Sequence, residues 1–184
     1  VFKKAYAFEP DPFNYSLLCA NIYINNLNGK ISSYNYAITN KNNIDLKLEI
    51  SAENLGDHRI ITNKKKVGNF VKVKGKKLDS FFKIINPKKT LIWIDTQGHE
   101  GFILEGAKKI LHKKTPLVIE FWPQGMFQSS SYVLLKKILC NSPYNKFYNL
   151  DDKNIKAYNL DEKELDNLYS KIGEHGNFVD LLIL

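Results

Sequence analysis

The spacing of hydrophobic positions changes several times along the chain, and each change predicts an element. "AYAFEPDP" opens with a short apolar strand, Ala5 to Phe8, which ends at Glu9 and is broken by Pro10 and Pro12. Asp11 is placed to cap a helix that has Pro12 at its first position. Phe13, Leu17, Ala20, Ile24 and Leu27 then recur at helical spacing, predicting a helix to about Asn26 before the Asn28-Gly29 turn. Lys30 to Thr39 reads as a second strand. Ile44 to Ser51 and Asn69 to Gly75 alternate strictly, as strands with one wet face do, and are expected to pair across the polar loop between them. That loop, Ala52 to Gly68, is the segment expected to be most mobile. Leu78 to Ile85 is short and amphipathic.

Further on the pattern changes. "TLIWID" and "PLVIEFWP" are continuously apolar rather than alternating, which suits strands covered on both faces. Helices are predicted over Gly101 to Leu111, Ser131 to Leu139 and Glu162 to Ile172, with strands at "KFYNL" and at the terminal "FVDLLIL". Alternating strands and helices predict one α/β domain, a three-layer sandwich with a mostly parallel sheet.

Composition changes this picture little. The chain has 184 residues, 43% hydrophobic and 25% charged, enough for one core. No run reaches the roughly 18 apolar residues of a membrane span, and no signal-peptide pattern is present. The net charge of +8 invites nucleic acid as a partner, but Arg59 is the only Arg among 27 basic residues and the Lys are dispersed. A phosphate-reading surface would use Arg forks and interleaved aromatics, so no nucleic-acid partner is expected. The clusters Asn63 to Lys66 and Lys72 to Lys77 read as solvated loop or hairpin, with a local anion site as the alternative. Cys19 and Cys140 lie far apart without metal-ligand spacing; they read as buried small hydrophobes in a reducing, cytoplasmic setting, and no metal is expected.

Candidate chemistry gathers where strands end, because ligands of open α/β sheets bind outside the carboxyl ends of strands. Glu9 suits a carboxylate that holds ribose hydroxyls; it equally suits a helix-start carboxylate beside a positive dipole end. Asp95, Gln97, Gly98, His99 and Glu100 crowd the next such junction. His99 titrates near neutrality and can act as a general base, with Asp95 orienting a hydroxyl or cation. Alternatively, Asp95 and Glu100 only cap the junction. "NLGDHRI", Asn54 to Ile60, holds Asp57, His58 and Arg59: either a planar bidentate donor is required there, or this is an ordinary polar loop tip.

"AFEPDP", "NYAIT", "LDSFF", "IDTQGHEGFILEGAKKIL" and "PLVIEFWP", in this order, resemble the FkbM-type family of S-adenosylmethionine-dependent methyltransferases over nearly the whole chain. "IDTQGHE…LEGA" is the specific part, and "NLGDHRI" with "EFWP" suggests one branch. The resemblance implies a Rossmann-like class I methyltransferase fold and O-methylation of a sugar, glycolipid or polyketide-like hydroxyl, with S-adenosyl-L-methionine as cofactor and a small-molecule or carbohydrate acceptor. It implies that Glu9 holds the donor ribose, that Asn35 to Ala37 lie by the adenine, and that Asp95 and Gln97 line the pocket near the methionine end. His99 is then the candidate base, and His58, Arg59 and Glu120 face the acceptor. The chain departs from the family in having no strand and Gly-rich turn ahead of "AFEPDP"; it begins at Val1, and its only Met is Met126. The expectation is an N-terminally truncated fragment with a sheet exposed at its middle, prone to instability or self-association. Two alternatives are carried: a catalytically incomplete, partner-binding domain, and a nicotinamide-dependent dehydrogenase, whose cofactor Glu9 would also suit.

Overall fold

The structure, a computed structural model, describes residues 2–62, 68–84 and 86–184. In chain order the strands and helices are β1 (Ala5–Phe8), α1 (Pro12–Ile24), β2 (Ile31–Tyr34), β3 (Ala37–Ile38), β4 (Ile44–Glu49), β5 (Arg59–Ile60), β6 (Phe70–Lys76) and β7 (Ile92–Ile94). After them come α2 (Glu100–Glu105), α3 (Lys108–His112), β8 (Leu117–Phe121), α4 (Pro123–Ser129), α5 (Tyr132–Cys140), β9 (Lys146–Asn149), β10 (Ala157–Asn159), α6 (Glu162–Ile172) and β11 (Val179–Ile183). The Asn63 to Lys66 cluster and Ile85 lie outside the described residues.

The predicted single, mostly parallel sheet is corrected to three sheets of mixed direction. They run β1-β2, β10-β9-β11-β8-β7 and β3-β6-β4-β5. Among the described residues only the pairs β1-β2, β3-β6 and β7-β8 are parallel. The reason is local. Lys30 to Thr39 breaks into β2 and β3, and β3 joins the hairpin made by β4 and β6 instead of continuing the first sheet. The chain's last strand, β11, enters between β8 and β9 antiparallel to both.

β8 lies between β11 and β7 in the larger sheet, and all five of its residues are buried. Leu104, Ile110, Met126, Leu135, Leu165 and Ile183 belong to the same core cluster as its Leu117, Ile119 and Phe121. Each such side chain contributes about 1.5–3 kcal/mol of burial. The predicted helix over Gly101 to Leu111 is two helices, α2 and α3, broken at Gly106. There the backbone passes so close to the Thr39 carbonyl that a Cβ would collide with it. Asp79 restarts the helix by accepting from the backbone N–H groups of Lys109 and Ile110.

The β1-α1-β2 unit is organised differently. Asp11 caps α1 as expected, accepting from the Asn14 N–H at 2.8 Å. The predicted core stripe, however, faces out: Phe13, Leu17 and Ala20 are exposed and Ile24 is 72% exposed. α1 turns Tyr15, Leu18, Cys19 and Ile22 inward instead, a second set at the same helical spacing. Cys19 and Cys140 are half-buried free thiols rather than buried ones. On the larger sheet Trp93 of β7, expected to be covered, is 61% exposed. Among the described residues β1 pairs only with β2 and β7 only with β8, so each keeps a free edge. No described helix is long and apolar enough to cross a membrane.

Candidate functional site

Register builds the first part of the site. β7 and β8 run parallel with Ile94 opposite Ile119, so Asp95, just past the end of β7, comes level with Glu120 of β8. β11 sets Asp180 opposite Glu120. Three carboxylates thus stand in a row across three strands. Glu120 is pushed up to about 8, first by burial and then by the charges of Asp95, Glu100 and Asp180.

The turn after Asp95 is held from below. Glu100 is fully buried, and its Oε1 accepts from the Thr96 N–H at 3.0 Å, the Thr96 hydroxyl at 2.9 Å and the Gly98 N–H at 3.3 Å. The Gly98 carbonyl accepts from the Ser129 and Ser131 hydroxyls at 2.6 and 2.7 Å. Gly98 has φ of +96° and lies against the Gly125 carbonyl, where a Cβ would collide. Gln97 is also left-handed, with φ of 54°. Its amide bridges the acids, donating to Asp95 at 3.0 Å and to Glu120 at 3.3 Å.

His99 follows this turn but is turned inward. It is 5% exposed, its Nε2 lies 3.1 Å from the Thr39 hydroxyl, and its ring stacks on Phe102. Burial lowers its pKa to about 4, so the ring is neutral at pH 7.

A cavity of about 360 Å³ opens over the acids, with Asp57, Arg59, Gln97, Glu120, Trp122 and Phe178 among its lining. Arg59 has its Nε 2.8 Å and its Nη2 2.9 Å from the two Asp57 carboxylate oxygens, and its Nη1 2.9 Å from Gln128. The guanidinium lies over the Trp122 ring at 4.6 Å. The indole Nε1 is buried with no hydrogen-bond partner among the described residues.

The neighbouring residue points elsewhere. His58 was expected beside Arg59 on the acceptor side, but it precedes β5 and packs toward the start of α1 instead. Its imidazole, 7% exposed, lies 4.0 Å from the Asp11 carboxylate, beyond hydrogen-bond reach, and both ring nitrogens are buried without partners among the described residues. Glu9 belongs to the same cluster. Its Oε1 accepts from the Asp11 N–H at 2.8 Å, and its pKa is raised mainly by burial, with the His58 ring opposing. Asn35 locks this strand end by donating to the carbonyls of Glu9 and Pro10. Ala37 is buried in the small sheet opposite Gly75.

The structure therefore brings Gln97, Arg59 and Glu120 together at one cavity, with Asp95 joined to it through Gln97, and Glu9, Asn35 and His58 at a second cluster. Trp122, Phe178 and Asp180 were not singled out in the sequence. Asp180 left a signal there, as a charge inside the apolar "FVDLLIL". Among the described residues no three His, Cys, Asp or Glu side chains are grouped to hold a metal ion.

Polar clusters at the strand ends of an α/β chain stand where ligands of such sheets bind. The profile of the Methyltransferase FkbM domain matches residues 2–147, and the chain belongs to that family of methyltransferases. No curated protein and no solved structure matches the chain.

Proposed function

We propose that the chain is a Rossmann-like, S-adenosyl-L-methionine-dependent O-methyltransferase domain acting on a hydroxyl of a small-molecule or carbohydrate acceptor, a sugar, glycolipid or polyketide-like compound. The observation that carries this reading is the loop over residues 54–59, which serves both clusters. Its Leu55 carbonyl accepts from Asn14 at the start of α1, and His58 lies against Asp11, while Asp57 and Arg59 line the cavity above Glu120. One short segment thus walls a nucleoside-like cluster from an acceptor cavity.

The residues present fit the nucleoside end of the donor. Glu9 offers a carboxylate at a strand end, and the partnerless nitrogens of His58 are the kind of orphaned buried atoms that a ribose diol would satisfy. The donor, when bound, supplies an electrophilic methyl group on sulfur. The chain's own residues position the acceptor oxygen in line with that carbon and remove its proton. We assign proton acceptance to Glu120 rather than to His99. Glu120 lines the cavity with a pKa matched to mild alkaline pH, whereas His99 is sequestered against Thr39 and reads as a positioning residue for the turn. The acceptor's proton would pass to Glu120 as its oxygen takes the methyl group, the broken methyl–sulfur bond leaving its electron pair on sulfur as a neutral thioether, and Gln97 holds Glu120 and Asp95 together. The two free thiols are in keeping with a cytoplasmic location.

Calorimetry tests the reading. S-adenosylhomocysteine should bind, with Glu9→Ala weakening it at least about tenfold. Glu120→Gln should leave that affinity unchanged and lower methyl transfer about 100-fold. Heat with NAD and none with S-adenosylhomocysteine would instead select the dehydrogenase alternative.

A further inference from the structure

Building on that reading, we infer that the cavity selects hydroxyl acceptors that are neutral or carry an amine and rejects those bearing phosphate or carboxylate, in spite of the protein's net charge of +8. Arg59 is the cation expected to greet an anion, and it is already spent. Two of its nitrogens bond the Asp57 carboxylate, the third bonds Gln128, and one face of the guanidinium is covered by Trp122. The Arg59–Asp57 pair is neutral as a unit. What remains at the cavity floor is acidic: Glu120 lines it, Asp95 is bridged to Glu120 by Gln97, and Asp180 is opposite Glu120 in the sheet.

Burial is the first cause of the resistance of Glu120 to ionisation, and the neighbouring carboxylates Asp95, Glu100 and Asp180 add to it. An incoming phosphate or carboxylate would meet their field in a partly desolvated site, where like charges a few ångströms apart cost more than in water. A hydroxyl-rich ring meets partners instead. Glu120 and Gln97 can donate to it and accept from it, and Phe178 offers an apolar surface to a sugar face. The positive charge of the protein sits elsewhere, for instance on the exposed Lys47 and Lys72, opposite each other on β4 and β6.

The test uses four probes on one scaffold: glucose, glucosamine, glucuronate and glucose 6-phosphate, titrated into the protein at low salt and followed by saturation-transfer NMR. Glucose and glucosamine should bind, and the two anions should bind at least about tenfold more weakly. Asp57→Asn releases the guanidinium and adds one positive charge to the cavity, so the anions should gain about tenfold over the wild-type protein. Raising salt to 0.5 M should shrink both differences. Glucuronate binding as tightly as glucose in the wild-type protein overturns the inference, as does binding of none of the four. If Asp57→Asn fails to fold, as judged by circular dichroism, the wild-type series decides alone. Failure here with S-adenosylhomocysteine still bound sinks only the charge selection. Charge selection without S-adenosylhomocysteine binding sinks the methyltransferase reading and leaves the cavity's preference standing.

Discussion

The larger sheet and the β1-α1-β2 unit are built from similar residues to opposite effect. Around β8, apolar side chains arrive from strands and helices on both faces, and Leu104, Ile110, Phe121 and Leu135 are wholly enclosed. In α1 the apolar residues surround the helix. One stripe, Tyr15, Leu18, Cys19 and Ile22, finds the strands beneath; the other, Phe13, Leu17, Ala20 and Ile24, meets solvent. Apolar content is therefore a poor guide to stabilisation. What counts is whether a second layer is present to remove that surface from water. The functional clusters divide in the same way: the acid row stands on the enclosed sheet, and Glu9 stands at the end of a strand with one free edge.

Paired truncations sharpen this contrast most. Leu104→Ala should cost about 3–4 kcal/mol in urea unfolding. Ile24→Ala, equally apolar by sequence, should change stability by less than about 0.5 kcal/mol. Equal costs would mean that the α1 stripe is covered in solution.

Acid titration comes next. The native pKa of His99 lies below its unfolded value of 6.5, at about 4, so between those limits the unfolded chain binds more protons. Stability from this group is complete above pH 6.5 and declines as pH falls, by about 3 kcal/mol at pH 4. His99→Gln should flatten that slope in denaturant titrations, and a slope unchanged by the substitution would place the acid sensitivity elsewhere.

Glu120 has the opposite sign. Its native pKa lies above the unfolded one, so its contribution is largest below pH 4.5 and is lost as pH rises toward about 8. Glu120→Gln should raise the melting temperature at pH 9 and leave it nearly unchanged at pH 4.5. The smallest effects are at caps. Asp11→Ala and Asp79→Ala should each cost about 1 kcal/mol, with the Asp11 loss confined to faster hydrogen exchange in α1.

Much of this was legible along the chain. α6 lies at Glu162–Ile172, the range its spacing predicts, and β4 and β6 pair as their alternation requires. The Asp11 cap and the strands ending at Asp95 and Glu120 follow from local chemistry too, because capping and strand termination are decided within a few residues. The helices α2 and α3 were read as one, since the close approach of Thr39 that breaks them comes from a segment more than sixty residues away. α4 and β10 were not anticipated; seven and three residues are too few for a periodic signal.

By itself, then, the sequence determined most of the longer elements, several of their ends, the family and the residue types of the site, since these depend on period, capping and motif order. Only the tertiary structure decided which stripe of α1 is buried, because a helix apolar on every side satisfies a 3.6-residue period on more than one face. It alone separated His58 from Arg59, withdrew His99 behind the turn, and set Asp95, Glu120 and Asp180 abreast. Side-chain direction and the neighbours of a charge are fixed by register and packing between segments far apart in the chain, and no local pattern carries that information.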